Sequence, residues 1–392
     1  MTPTLPRYEG GRTAMRIALG LGLAALAINI VGFAVTPARA LFSWLIAVIY
    51  VMTVVLGLMG VLVITHAMNA GWPTVVRRLA EAAMPIMPLL AVLFVPVLLG
   101  IDQIYPWTHI GTFRDPAMRK VLEHKAPYLN PPFFVVRTVF YLLIWSLFAI
   151  LLRRWSLATD PEPHRDHRPR LRALSAAMGP IMGITLTAAT TDWIMSLAPE
   201  WVSYIFGFYF MALSLLGGVA LLTLLAVLSG RRNQLSVTVS HYHALGRVLF
   251  TFLVLWAYTA YFNYFITWIA NKPAEARWFV QRSVEPFRAM SLFIIFGHFG
   301  FPFLMLLTYV VRRSRRLLAF MAAWLLAAQY LEVHWLIAPE RNLPSVFDWW
   351  DPVAVLAVGG LSMALALQAQ HGRLLAPIFD RRFPEAARYE SW

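Results

Sequence analysis

The sequence of 392 residues contains no cysteine. This absence excludes thiolate-held iron–sulfur clusters, haem attached through Cys-x-x-Cys-His, disulfides and a cysteine nucleophile. Charged residues are also scarce, at 13% of the chain against roughly 25% in soluble domains. Hydrophobic residues make up 59%. A chain with so little charge and so much apolar surface needs lipid as its solvent, and we expect an integral membrane protein.

Ten apolar segments of about 20 residues are long enough to cross a bilayer as helices. They are predicted at 14–35, 41–66, 82–104, 133–152, 171–197, 201–229, 244–270, 288–311, 317–338 and 352–369. The segments between them are too short to form domains of their own. The predicted fold is therefore all-α, with about ten transmembrane helices in one membrane domain covering residues 1–392.

The first span ends in a stretch, 36–40, that imitates a signal-peptidase site. Its apolar run of about 20 residues is longer than the roughly 7 to 15 of a signal peptide. We expect this helix to be retained, and a cleaved signal peptide is the alternative.

Basic residues are concentrated on one side of this topology, with clusters at Arg153 and Arg154 and at 312–316. The net charge of +14 comes from this side, which also holds both termini. The positive-inside rule therefore predicts that both termini are cytoplasmic. Membrane lipids with anionic headgroups are sufficient partners for such a surface, and nucleic-acid binding is not needed to explain it.

Few strongly polar residues fall inside the predicted spans, and each is a functional candidate because burying it in lipid is costly. Buried carboxylates and histidines that lie close together acquire pKa values suited to proton transfer. Most of these residues gather toward the outer face. The candidates are Asp192, Glu332, His334, His298, Asn263, Tyr258 and His66.

A structural interpretation of the same residues stays open. In it, Asp192 pairs with Thr191 or with an arginine such as Arg288 or Arg341, and His66 and His298 are hydrogen-bonded interior imidazoles. No catalytic residue is established by the sequence.

A haem b would need two histidines at similar depth on facing helices. At 1.5 Å per residue, His298 lies about 15 Å below the outer surface, His334 about 6 Å, and His66 at the opposite side. These depths do not match. We therefore expect this chain to bind no haem, no other resident cofactor and no metal.

Four stretches carry a family resemblance. The sequence TDWIMSLAPEW at 191–201 resembles the DWxMSLxPxW signature of the F subunit of alternative complex III, a bacterial quinol:electron-acceptor oxidoreductase. The loop HKAPYLNPPFF at 124–134, the stretch 255–278 with Trp256, Trp268 and Trp278, and WLIAP at 335–339 are similar too. The matches occur in order between about residues 15 and 370.

The departures from this family fall on polar positions. Gln329 and Glu332 stand where the resemblance leads us to expect an arginine and an aspartate, and Asn263 stands in place of a glutamine. The segment 66–72 keeps only part of the family's His-rich helix end. Glu332 retains the carboxylate, whereas the expected arginine beside it is missing.

The resemblance implies a fold like that of the membrane subunits of polysulfide-reductase-like complexes. It consists of two four-helix bundles, 41–197 and 201–338, flanked by helices 14–35 and 352–369. The chain would lie in a bacterial cytoplasmic (inner) membrane. Its partners would be the paralogous membrane C subunit, an iron–sulfur B subunit and c-type cytochrome subunits, and iron–sulfur clusters and c-type haems in these partners would carry the electrons.

The implied function is that of a respiratory subunit that supports quinol oxidation, with quinol or quinone as a possible ligand and with proton conduction through the polar candidates above. Two alternatives stay open. One is a secondary transporter, since Pro85, Pro88 and Pro96 are able to break a span into the discontinuous helix of such folds. The other is a purely structural subunit that anchors the complex.

Overall fold

A computed structural model describes residues 7–113, 115–160, 166–230 and 237–391 of the chain. Ten helices in these ranges are long and apolar enough to cross a membrane. The predicted all-α integral membrane fold is confirmed, and each predicted span corresponds to one of these helices. In chain order, spans 1 to 10 are Arg12–Val35, Pro37–Ala67, Arg77–Leu99, Pro131–Leu157, Arg168–Leu197, Phe206–Gly230, Val239–Ala270, Arg288–Leu307, Arg315–Arg341 and Trp350–Gln370.

Shorter helices connect the spans at the two membrane faces. We call the face that holds residues 7 and 391 the basic face and the other one the opposite face. The basic face carries the short helices Trp72–Val75 and Phe383–Ala387. The opposite face carries Pro106–Thr112, Pro116–Lys125 and Pro273–Ser283.

Spans 2 and 6 lie at the centre of the packing. Span 2 packs on spans 5, 6 and 10, span 6 packs on spans 2, 5, 7 and 9, and span 1 lies against span 10. Spans 2 and 6 approach at Gly57 and Gly218, where a Cβ on either glycine would collide with the backbone of the other helix. Close approach of small residues is the usual way to pack helices in lipid, where no hydrophobic effect drives association. The division into two four-helix bundles stays a prediction.

Span 3 is interrupted near the basic face, where helix Arg77–Glu81 gives way to a turn before helix Ile86–Leu93. Pro85 has no N–H to donate to the carbonyl of Glu81, four residues earlier. The Glu81 carbonyl accepts instead from the N–H of Met84 at 3.2 Å and from Nη1 of Arg153 of span 4 at 2.9 Å. The carbonyl that this break frees is therefore already bonded by protein.

Span 8 has a π-helical segment, Ile294–Gly300, between two α-helical parts. Pro302 follows it and has no N–H to donate to the carbonyl of His298, so the α-helical pattern cannot continue unchanged through this turn. A π-helical segment inside an α-helix frequently marks a functional position. This one carries His298 into the protein interior, where its side chain is fully buried.

Candidate functional site

The strongest candidate site surrounds Glu332 in span 9. The carboxylate is fully buried. Its Oε1 accepts hydrogen bonds from Tyr209 Oη of span 6 and from Trp256 Nε1 of span 7, the latter at 2.9 Å. Three spans therefore meet at this one carboxylate, and donors from two of them stabilise it away from water.

His298 brings a fourth span to the same carboxylate. Its Nδ1 lies 2.6 Å from Glu332 Oε2, although the two groups are not aligned for a regular hydrogen bond. The imidazole stacks on the indole of Trp256, with ring centroids 4.1 Å apart. Its Nε2 is buried and has no hydrogen-bond partner among the described residues. The site therefore contains one imidazole nitrogen facing the carboxylate and one open to a further proton donor or acceptor.

The sequence placed His298 near the middle of span 8 and Glu332 in the outer quarter of span 9, so it did not predict their contact. Span 9 continues beyond its predicted end at residue 338, through a 3₁₀ turn, to Arg341. Glu332 therefore lies deeper than its position in the predicted span suggested. A carboxylate and an imidazole in contact have the chemistry of a proton donor and acceptor.

Asp192 forms a separate site in span 5. Arg137 of span 4 binds it in bidentate fashion, with Nε to Oδ2 and Nη2 to Oδ1 both at 2.9 Å. Tyr141 donates to the same carboxylate at 3.0 Å. The interpretation in which Asp192 pairs with an arginine agrees with this contact, but the partner is Arg137 of the adjacent helix and not Arg288 or Arg341.

Arg137 is the main site residue that the sequence analysis missed. It is the one arginine within the predicted span 133–152. Because a cation in lipid is as costly as a carboxylate, its position was a signal for a functional or paired residue. Its guanidinium lies 3.8 Å from the ring centre of Tyr128 and donates to the Tyr128 carbonyl at 3.0 Å. Burial raises the pKa of the Tyr128 phenol to about 12, which keeps that hydroxyl neutral beside the ion pair.

His334 belongs to a third cluster, near the opposite face. Its Nε2 donates to the carbonyl of Val346 at 2.8 Å. Its Nδ1 lies 4.0 Å from Asp351, which is bound by Arg341 at 2.8 Å and by Ser43 at 2.5 Å. His334 therefore helps to join span 9, span 10 and the start of span 2.

The remaining candidates lie outside these clusters. Asn263 accepts a hydrogen bond from Ser203 at 2.5 Å. Tyr258 is 59% exposed on the surface of span 7, where lipid surrounds the protein. His66 lines a small pocket at the basic face together with Arg77 and other charged residues. The structure thus brings together Glu332 and His298, and it leaves the other five candidates apart from them.

The four stretches that carry the family resemblance come together near the opposite face. Lys125 donates to the carbonyl of Pro199 at 2.6 Å, and the rings of Trp278 and Trp335 have centroids 5.3 Å apart. Trp201 and Trp278 line a cleft of about 440 Å³. Trp201 and Trp278 stack with centroids 4.2 Å apart, and Arg282 lies 3.6 Å from the Trp278 ring centre. Burial lowers the pKa of the Arg282 guanidinium to about 10. These aromatic residues pack together at the opposite face of the protein and line the cleft there.

Comparison of the chain with models of known protein families finds no match, and a search of curated proteins finds none either. The family indicated by the motifs stays a prediction.

Proposed function

We propose that this chain is a membrane subunit of a respiratory quinol:cytochrome c (electron-acceptor) oxidoreductase of the alternative complex III type, in a bacterial inner membrane. We assign it a proton-carrying site made of Glu332 and His298. The assignment to this type of complex is supported by the motifs at 124–134, 191–201, 255–278 and 335–339. The observation that carries the proton-carrying site is the fully buried contact of 2.6 Å between these two side chains. A buried titratable pair that no permanent charge holds in one state is suited to taking up and releasing a proton.

The roles of the four residues follow from their contacts. Glu332 and His298 exchange a proton between Oε2 and Nδ1. Tyr209 and Trp256 donate to Oε1 and hold the carboxylate in place whichever of the pair carries the proton. The unpartnered Nε2 of His298 is the atom through which the pair exchanges protons with water or with another donor.

Asp192 has a different role in this proposal. A bidentate arginine–carboxylate pair is strong and geometrically specific, and Arg137 remains charged at every physiological pH. It therefore favours an ionised Asp192 throughout any catalytic cycle. We assign this pair to holding spans 4 and 5 together.

Electron transfer is left to partner subunits. The chain has no cysteine for an iron–sulfur cluster or for c-type haem attachment. Quinol oxidation would take place with the paralogous C subunit and the iron–sulfur B subunit, and the protons released there would be carried by this chain.

The proposal is tested by gentle purification of the tagged protein from its native membrane. We expect iron–sulfur and multihaem subunits to co-purify, together with quinol-dependent cytochrome c reduction. Glu332→Gln should lower this activity at least tenfold, whereas the control Glu275→Gln, on a surface helix, should not. A protein that is isolated alone and without this activity contradicts the proposal.

A purely structural anchor is the second candidate function, and the Asp192–Arg137 pair favours it. Full activity of a complex that contains Glu332→Gln and His298→Gln would support the anchor and would remove the proton-carrying role. The interruption of span 3 gives less support to a transporter, because the carbonyl it frees is occupied by Arg153.

A further inference from the structure

A groove of about 480 Å³ opens at the basic face between spans 3 and 4. It forms where span 3 is interrupted, because the turn before Pro85 leaves a hollow against span 4. One wall of the groove is apolar, and one end of the groove is basic. Pro88, Ala149 and Ile150 belong to the apolar wall, and Arg153, Arg154 and Arg373 form the basic end.

The three arginines of the groove are not equivalent. Arg153 is engaged by protein, since it donates to the carbonyls of Glu81 at 2.9 Å and Ala369 at 2.5 Å. Arg154 and Arg373 are exposed, and neither forms an ion pair with a carboxylate in the described ranges. Two guanidinium groups at the membrane surface are therefore available to an anionic ligand.

Two carboxylates near spans 3 and 4, Glu81 and Asp160, are paired with arginines. Glu81 pairs with Arg77 and Arg78, each at 3.0 Å, and Asp160 pairs with Arg78 at 2.6 Å. Among the residues that the structure describes, no acidic side chain lines the groove itself. The described side chains that line the groove therefore give it a positive charge.

The backbone at Arg373 is fixed. Its N–H donates to the carbonyl of Gln370 at 3.1 Å, and its own carbonyl accepts from the N–H of Tyr8 at 2.9 Å. Arg154 lies in the last turn of helix Pro131–Leu157. Both arginines are thus presented from ordered backbone, which lowers the entropy that binding has to overcome.

We propose that this groove binds one anionic diacyl phospholipid. Its phosphate would lie between Arg154 and Arg373, because guanidinium groups bind phosphate oxygens in bidentate fashion. One acyl chain would run along the apolar wall of Pro88, Ala149 and Ile150 toward the membrane centre. Ile150 is 49% exposed and offers this chain an open hydrophobic surface.

The charge and the apolar wall together select this ligand. A free phosphate would use only the arginines and would leave the wall exposed. A zwitterionic phospholipid would cover the wall, but it would bring a cation close to the arginines. Only a lipid that is both anionic and acylated satisfies both parts of the groove.

The test is native mass spectrometry of the purified protein titrated with dioleoylphosphatidylglycerol and, separately, with dioleoylphosphatidylcholine. We expect one molecule of the anionic lipid to bind preferentially to the wild type. In the double variant R154Q/R373Q this tight binding should weaken about 30-fold, the effect of two basic contacts with an anionic lipid. The matched control R315Q/R316Q removes two other basic-face arginines and should bind as the wild type does.

A charge-preserving variant, R154K/R373K, distinguishes lost binding from a damaged fold, and we expect it to recover most of the preference. The proposal is overturned if R154Q/R373Q and R315Q/R316Q lose the same affinity, or if the wild type binds both lipids equally. It is also overturned if millimolar inorganic phosphate displaces the lipid, because the site would then recognise the anion alone.

Discussion

Glu332→Gln is the substitution that separates a proton-carrying role from a structural one. Gln has almost the same shape as Glu, and its amide oxygen is able to accept from both Tyr209 and Trp256. Its amide nitrogen would then face His298 Nδ1, which accepts a hydrogen bond in the neutral imidazole. The protein should therefore fold with a loss of only about 1 kcal/mol, yet residue 332 would no longer exchange a proton.

Glu332→Ala provides the comparison. It leaves the Tyr209 hydroxyl and the Trp256 indole N–H buried without acceptors, at about 1–3 kcal/mol each. It also opens a cavity between spans 6, 7, 8 and 9. We expect a total loss of roughly 3–6 kcal/mol, seen as a large fall in the thermal unfolding midpoint in detergent.

The assay combines unfolding midpoints with quinol-dependent cytochrome c reduction by the purified complex. Glu332→Gln should keep a midpoint close to that of the wild type and lose at least nine-tenths of the turnover, while Glu332→Ala should lose both. Normal turnover in Glu332→Gln would refute the proton-carrying role. A thermal unfolding midpoint of Glu332→Gln as low as that of Glu332→Ala would refute the hydrogen bonds from Tyr209 and Trp256 to residue 332.

Three further outcomes are expected. Asp192→Asn should lower the free energy of unfolding by about 3–5 kcal/mol, because it leaves the buried guanidinium of Arg137 unpaired. The unfolding midpoint should recover in the double variant with Arg137→Gln, and additive losses of the two single variants would contradict a direct pair. Gly218→Ala should destabilise the contact of spans 2 and 6 strongly, since its Cβ meets backbone, whereas Gly183→Ala, with open space around it, should be tolerated. Burial raises the pKa of Asp380, but the charge of its arginine neighbours and a backbone amide hold it below the usual 3.8. The stability that ionised Asp380 contributes is therefore present above pH 3.8 and is lost as the pH falls below it. On acidification, the unfolding midpoint of the wild type should fall more than that of Asp380→Asn.

The sequence was sufficient to predict the spans because a bilayer imposes a minimum apolar length that composition reveals directly. The ends of the spans were less accurate. Helix Val239–Ala270 begins five residues before the predicted residue 244, with a capping box between Thr238 and His241. Polar residues such as His241 extend a helix into the interface without contributing to hydropathy, so a hydropathy window stops too early.

The candidate site was predicted only in part. The sequence indicated Asp192, Glu332 and His298 as ionisable residues inside spans, and all three side chains are buried. It did not indicate the partners Arg137, Tyr209 and Trp256. Pairing depends on how each helix is rotated and tilted against its neighbours, and neither quantity can be read from one apolar sequence. Tyr209 was not considered, and Trp256 was noted only as part of the family resemblance, although buried aromatic groups with a polar end usually require an acceptor.

The two buried carboxylates differ in the chemistry of their partners, and this difference supports different roles. Asp192 faces Arg137, a permanent cation, and therefore has little reason to change its charge. Glu332 faces His298, whose charge is itself titratable. In span 9, where the family resemblance leads us to expect an arginine, Gln329 donates to Thr53 at 2.9 Å and supplies no charge to Glu332. Introducing a guanidinium by Gln329→Arg should therefore fix Glu332 in its ionised form and lower turnover, while the complex still assembles. Unchanged turnover in an assembled Gln329→Arg complex would show that the charge state of Glu332 does not matter for function.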